Sequence, residues 1–417
     1  MRVLLLGGGG REHAIGWKLA QSEMLGELIS APGNPGLAML GPVVTGIDIT
    51  DPAAVTDLAL ANDIDLVVVG PEAPLAAGIV DALGAADVAA FGPTRAAARL
   101  ESSKRFAKEV MRRADVPTAR GESFIDLPSI ASHLESIRGP YVVKADGLAA
   151  GKGVLVTDDL AAAHEWARRC IEGKFGDAGT TVVVEEHLSG QEVSILAICD
   201  GTRVLPLEPA RDYKRLSDGD AGPNTGGMGC YSPVDDLPAD LVAWTAAEVM
   251  TPVLDTLRAD GIVYRGFLYA GLILTADGPK VLEFNCRLGD PETQVMLPRL
   301  EGDLLALMTG RLPDDGLSWS DLAAVDVVLA AAGYPDAPEW GAPISGLEAF
   351  TSRSDVLAFH AGTKTVADGI VASGGRVLNV VGLGNTVTEA RRVAYDAVEK
   401  IEFAGMIYRS DIAGSAR

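Results

Sequence analysis

Cysteine is scarce in this 417-residue chain: Cys170, Cys199, Cys230 and Cys286 are widely spaced and form no C-x-x-C pair. That argues against a zinc site or a disulfide framework and favours a reducing compartment. Histidine is equally thin, with His13, His133, His164, His187 and His360 scattered and no H-E-x-x-H or G-x-S-x-G motif present. Without a nucleophile and base signature, chemistry has to come from electrostatic positioning. Basic charge is short too: 35 Lys and Arg stand against 57 Asp and Glu, a formal net charge of −22. A field of that sign repels nucleic acid and anionic membranes, so an anionic substrate needs a local basic pocket. No apolar run reaches the roughly 20 residues of a membrane span, and the opening MRVLLLGGGGREH meets glycine and charge too early for a signal peptide. The expectation is a cytoplasmic protein with small-molecule substrates and no nucleic-acid or membrane partner, by default a monomer.

What is present is an ordinary globular composition, 48% hydrophobic and 22% charged, in a chain long enough for about two to four domains. RVLLLGGGGREHAIGWKLAQS predicts a buried strand, a glycine turn and a helix whose apolar contacts are Ile15, Trp17 and Leu19. IDLVVVGPEAPL and VAAFGPT repeat the apolar run stopped by Gly-Pro, which implies a parallel sheet covered by helices up to residue 101. A basic amphipathic helix then ends at Val116-Pro117. Two β-rich stretches around a helical one (119 to 189) suit a small lid inserted in a core made of 102 to 118 and 190 to 322. RDYKRLSDGDAGPNTGGMGCYSPVDD reads as a long irregular loop, functional or mobile. GFLYAGLILTADGPKVLEFNCRLGDPE reads as a hairpin turning at Asp277-Gly278. Short strands and a final helix from 323 to 417 form a closing α+β domain, in which His360 reads as a satisfied core histidine.

Three glycine-rich or charged motifs bear on chemistry. The stretch KADGLAAGKGV fails as a P-loop, since three residues rather than four separate Gly147 from Gly151 and no Ser or Thr follows Lys152. Set between two apolar strands, it is instead a hairpin tip able to bend over a ligand, with Lys144 fixed on the first strand and Lys152 on the tip; a plain exposed hairpin is the bland alternative. Residues 7 to 10 are all glycine, yet the G-x-G-x-x-G fingerprint fails because its third position falls on Glu12 or His13. This turn either serves packing or holds an anion at a helix N-terminus. In KVLEFNCR, alternation puts Glu283, Asn285 and Arg287 on one face and Leu282 and Phe284 on the other. A Glu and an Asn suit magnesium, which takes few protein oxygens, and Arg287 suits a phosphate or carboxylate; a solvated edge face is the alternative.

Together VVKADGLAAGKGV, VVEEHLSGQEVS, GPNTGGMG and EFNCRLGDPETQ resemble the phosphoribosylamine–glycine ligase family of ATP-grasp enzymes, along essentially the whole chain. The resemblance implies an N-terminal α/β domain, a split ATP-grasp core with inserted lid, and a C-terminal α+β domain. It implies ATP as co-substrate, with Lys104 and Lys144 on its phosphates, the loop from Gly147 through Gly151 and Lys152 to Gly153 closing over them, Glu185, Glu186 and Leu188 at the adenine, and Glu192 on the ribose. Glu283 and Asn285 would hold Mg2+ or Mn2+. Gly10, Arg11, Glu12, Asn34, Pro71 and Glu72 look like contacts for the ribose phosphate of 5-phosphoribosylamine. Asp212, Asn224, Thr225, Gly226, Arg287, Asp290 and Glu292 look like walls around glycine and the reacting groups, with Lys144 and Arg287 catalytic. The family's chemistry passes through glycyl phosphate to glycinamide ribonucleotide, ADP and phosphate. Where the family often has Gln-Asp-His-Lys-Arg this chain reads RDYKR, so no role is carried over to Arg211 or Tyr213; Cys230 replaces a small residue. A biotin carboxylase or a formate-using transformylase would share fold and metal strand, an oxidoreductase is suggested by the opening glycines alone, and a non-catalytic nucleotide-binding regulator would keep the fold.

Overall fold

The opening apolar run is continuous because its strand is buried on both faces. Val3 and Leu5 enter one apolar cluster while Leu4 and Leu6 enter another. In the computed structural model, which describes residues 1–149, 153–174, 180–350 and 353–414, strand Arg2–Gly7 is central in a parallel sheet. Its order is Glu27–Pro32, Arg2–Gly7, Leu66–Val69, Ala90–Phe91. The helix Gly10–Leu19 follows the glycine turn directly. Among the described residues no helix is long and apolar enough to cross a membrane.

The segment expected as a lid folds as a four-stranded antiparallel sheet in the order Gly121–Phe124, Val182–Glu186, Tyr141–Ala145, Val154–Thr157. Helices Leu127–Ser136 and Leu160–Arg169 cover it with an apolar cluster of its own that includes Ile130, Leu134, Val143 and Ala167. The core sheet runs Val204–Pro206, Gln191–Asp200, Arg265–Thr275, Gly278–Asn285. Two details of the expected hairpin change. Thr275 pairs with Gly278, so the turn is Ala276-Asp277, and Gly278 takes the positive φ of +109° that only glycine adopts freely. A bulge opposite Gly271 and Leu272 sets Leu282 out of register, so Val281 rather than Leu282 shares the core with Phe284. Glu283 and Asn285 still project together, away from that core.

The stretch read as an irregular loop is partly regular. Arg211–Asp212 and Gly229–Ser232 pair with each other and join the closing sheet, ordered Arg211–Asp212, Gly229–Ser232, Ala323–Ala330, Arg376–Gly384, Val356–His360. Gly229 permits this, since a Cβ there would lie 2.7 Å from the Asp326 carbonyl oxygen. Glycine richness here marks close strand approach, not looseness. Between these strands a small exposed hairpin, Arg215–Ser217 with Ala221–Asn224, stands out from the body.

Candidate functional site

Lys144 and Glu185 lie diagonally on one face of neighbouring lid strands. The Lys144 Nζ is 2.6 Å from one Glu185 carboxylate oxygen and the Lys108 Nζ is 2.8 Å from the other. Burial opposes ionisation of Glu185, which is 4% exposed, but the two lysines outweigh it and hold its carboxyl below the usual range. The carboxylate of Glu185, a residue expected at the adenine, is thus the buried counter-charge that fixes Lys144. Glu186 instead pairs with Arg120 at the surface, and Leu188 is half-buried beyond the strand end.

Lys104 opens the helix Lys104–Arg113, capped by Ser103. Its Nζ donates to the Gly147 carbonyl at 3.3 Å, and Asp146 accepts from Ser103 Oγ at 3.0 Å and from the Arg105 amide at 2.6 Å. The base of the glycine hairpin is thus tied to this helix. Gly151 and Lys152 lie outside the described residues; Gly153 precedes the return strand, its carbonyl accepting from the Ala145 amide. Burial lowers the Lys104 pKa, with Glu283 opposing and Lys144 adding to the effect. Lys104, Lys144 and Glu283 therefore lie near enough to influence one another's charge although they come from three segments.

Glu283 is exposed to the cleft and, among the described residues, takes no hydrogen bond or ion pair. Although the surrounding walls desolvate it, Lys214, Lys144, Lys104 and Arg287 keep its carboxyl below the usual range. Asn285 Oδ1 accepts from Arg287 at 3.2 Å, and Arg287 is held by Glu101 at 3.0 Å and Glu72 at 3.3 Å. Among the described residues no group of three or more His, Cys, Asp or Glu is placed to hold a metal. A cation that completes its shell with phosphate oxygens and water needs only one or two protein oxygens. An ionised Glu283 without a hydrogen-bond or ion-pair partner among the described residues, beside the Asn285 amide oxygen, fits such a cation.

A second cluster faces this one. Asp212 is pushed up to about 7 by burial together with Glu292 and Glu192, against the pull of Lys214. Lys214 Nζ lies 2.8 Å from Glu192, so that residue, expected at a ribose, has a lysine to share. Glu292 is 3% exposed and accepts from Ser194 Oγ at 3.0 Å, which lies 2.7 Å from the Tyr269 hydroxyl. Asp290 is fixed by Arg376 at 2.9 Å and by Gln294 at 2.8 Å. Arg376 also donates to the Gly226 carbonyl, drawing Thr225 and Gly226 toward Asp290, whereas Asn224 ends the exposed hairpin. Lys214 was recoverable from its spacing of two from Asp212, and Ser194 ends the motif VVEEHLSGQEVS; Tyr269 and Glu101 carry no local signal. Arg211 pairs with Asp236 and the Tyr231 hydroxyl, away from the cluster.

The glycine turn makes room for the chain's own Glu12. The Gly9 amide donates to Glu12 Oε2 at 2.7 Å, and a Cβ at Gly7 or Gly70 would lie within 2.6 Å of the Glu12 side chain. The helix N-terminus is capped by the chain's own carboxylate. Gly10 is required because a Cβ there would be 2.2 Å from Asn379 Nδ2. Asn34 spends its amide on the Gly8 and His360 carbonyls and on the Leu37 amide. Asn34 is therefore a support for any ligand here, not a free donor. Arg11 still bridges Glu12 at 2.6 Å and approaches Glu72 at 3.9 Å, linking this turn to Arg287. Pro71 caps the helix that Glu72 begins.

Family models match this architecture segment by segment: the phosphoribosylglycinamide synthetase N domain over residues 1–101, its ATP-grasp (A) domain over 102–293 and its C domain over 324–415. The chain belongs to the phosphoribosylglycinamide synthetase family. It is 48% identical over 420 residues to a phosphoribosylamine–glycine ligase of Mesorhizobium japonicum, covering 100% of this chain and 98% of that one. A Streptomyces coelicolor protein of the same name is 48% identical over 423 residues, covering 100% and 99%. The crystal structure of the Thermotoga maritima phosphoribosylamine–glycine ligase superimposes with a TM-score of 0.85 at 37% identity, covering 99% of this chain and 100% of that one. A Hydrogenobacter thermophilus biotin carboxylase domain, solved with ADP and its magnesium salt, reaches a TM-score of 0.72 at 16% identity over 97% and 91% of the two chains, a likeness of fold alone.

Proposed function

We propose that the facing clusters around Glu283 and Asp212 are the two halves of one ligase site, which joins glycine to 5-phosphoribosylamine at the expense of ATP and gives glycinamide ribonucleotide for purine biosynthesis. The observation that carries the assignment of residues is that Lys144 on Glu185, Lys104 on the base of the glycine hairpin and Arg287 on the Asn285 amide oxygen all lie near enough to Glu283 to help hold its carboxyl below the usual range. In a chain of net charge −22, that is the local cationic pocket a triphosphate needs. Lys104 and Lys144 contact the phosphates, the hairpin from Gly147 to Gly153 covers them, and the Glu186 to Leu188 backbone with Glu192 receives adenosine. Glu283 and Asn285 would hold Mg2+ or Mn2+, which would offset phosphate charge when bound.

A glycine carboxylate oxygen attacks the γ-phosphorus, and ADP leaves with the bridging electron pair. The substrate amine then attacks the acyl carbon and phosphate departs, while the nitrogen gives up a proton. Asp212, whose carboxyl burial pushes up to about 7, takes it. Arg287 steadies the acyl phosphate, and no covalent enzyme intermediate is needed, in keeping with the missing nucleophile. Arg11 and Glu72 with the turn at Gly10 receive the ribose phosphate end. The enzyme works as a monomer in the cytoplasm. ADP release that depends on all three substrates and matches ribonucleotide formed one to one tests this reading; ADP release without that product would move it to a sister ATP-grasp ligase.

A further inference from the structure

The exposed hairpin between Lys214 and Thr225 is closed at its base, where the Thr225 amide and Oγ1 both donate to the Lys214 carbonyl at 2.7 and 2.9 Å. Its strands bury almost nothing, and a two-stranded ribbon of this kind is marginal by itself. What holds it comes from almost 200 residues later. Arg409 is 1% exposed, and one Nη reaches the Arg215 carbonyl at 3.1 Å and Asp220 at 2.8 Å. Its other two nitrogens fork onto Asp411, each at 2.7 Å. Asp411 in turn accepts from the Gly219 amide at 2.8 Å. The Ser410 amide donates to Asp218 at 2.8 Å, and the Ala413 amide donates to the Tyr213 hydroxyl at 3.0 Å. The strap is itself anchored, since Tyr395 donates to the Arg409 carbonyl at 2.7 Å and Arg391 to the Ile412 carbonyl at 2.9 Å.

We infer that residues 409 to 413 are a strap that positions the hairpin, and through it Lys214 and Thr225, so that Arg409 is a positioning residue for the glycine and amine half of the site. This rests on the proposed assignment of that cluster to substrate. It also accounts for Tyr213, which stands where the family often has histidine: its ring lies under Arg409, 4.9 Å from the guanidinium carbon, and its hydroxyl receives the strap. A lysine cannot reproduce the fork that spans Asp411, Asp220 and a carbonyl.

The test compares Arg409→Met, Arg409→Lys, Asp220→Ala and the Arg409→Met/Asp220→Ala double variant in the full chain. Hydrogen exchange across residues 213 to 225, ADP affinity, thermal unfolding, and KM and kcat for each substrate are read. Expected in Arg409→Met are faster exchange confined to that hairpin, ADP affinity within about twofold of the parent, and kcat/KM for glycine lower by on the order of 10-fold to 100-fold, the scale of a misplacement near 1 Å. Arg409→Lys should recover part of it, and the double variant should fall short of the sum of the singles. If Arg409→Met does not fold, Asp220→Ala, whose side chain is largely exposed, carries the same reading in milder form. Unchanged exchange in the hairpin, or lower melting with glycine kcat/KM within about twofold, would overturn the strap. A parent inactive with all three substrates would instead refute the function, while the exchange data would still decide the strap.

Discussion

Glu185→Gln removes the single buried carboxylate between Lys108 and Lys144. The glutamine keeps the shape and strands two ammonium groups whose nitrogens sit 2.8 and 2.6 Å from the lost charge. Removing one partner from a buried ion pair costs roughly 3–5 kcal/mol, because the remaining charge stays desolvated. Against a usual domain stability of about 5–15 kcal/mol, that is a large part of what holds the lid sheet. Trp166 lies on the lid helix Leu160–Arg169 and packs against the lid cluster, so a variant retaining only this tryptophan reports lid unfolding in urea. With a slope of about 1–3 kcal/mol per molar, the midpoint should drop by at least about 1 M at pH 7. The Glu185 carboxyl is held below its usual range, so its contribution is complete above that range and is lost as pH falls through it. Parent and variant should therefore converge in acid. Saturating ATP should narrow the gap at pH 7, since phosphate returns the missing negative charge to Lys144. Equal midpoints at pH 7 would refute the claim that Glu185 is the counter-charge of the two lysines.

Other outcomes follow from the same geometry. Glu283→Ala should leave circular dichroism and melting near the parent's while turnover falls by at least about 100-fold, and turnover unchanged at limiting magnesium would contradict the cation assignment. Asp212, pushed up to about 7, is protonated below that pH and able to accept a proton above it. A pH profile of kcat/KM for the amine should then rise through neutrality in the parent and lose that limb in Asp212→Asn. His13 and His360 are held down to about 3 and about 4, chiefly by burial. Their neutral forms leave stability intact above pH 6.5, and stability is lost as pH falls, by about 1.4 kcal/mol per pH unit for each histidine below its unfolded pKa. Urea midpoints that stay flat between pH 7 and 4.5 would contradict this.

Much of the fold was legible because local rules agree with the global structure. The run at Arg2–Gly7 is apolar without alternation because both faces are covered, and Val387–Val398 shows helical periodicity after a Thr386 cap. The strand Gly278–Asn285 was legible from alternation, although a bulge at Leu282, which leaves no mark in the sequence, shifted its inner face. What escaped were contacts between distant segments. Nothing near Glu185 announces that two lysines converge on it, and nothing near Arg376 or Arg409 announces that each grips a loop about 150 or more residues earlier. Glycine misled at Gly229, where it marks a tight sheet, while at Gly7 it makes room for Glu12, in line with the packing alternative.

The most direct measurement of the central claim follows ADP and ribonucleotide together, with magnesium-ATP, glycine and freshly made 5-phosphoribosylamine, omitting each in turn. Equal amounts of ADP and glycinamide ribonucleotide, formed only when all three are present and abolished in Glu283→Ala, are predicted. ADP formed without the ribonucleotide, or no ADP under any combination, would contradict it.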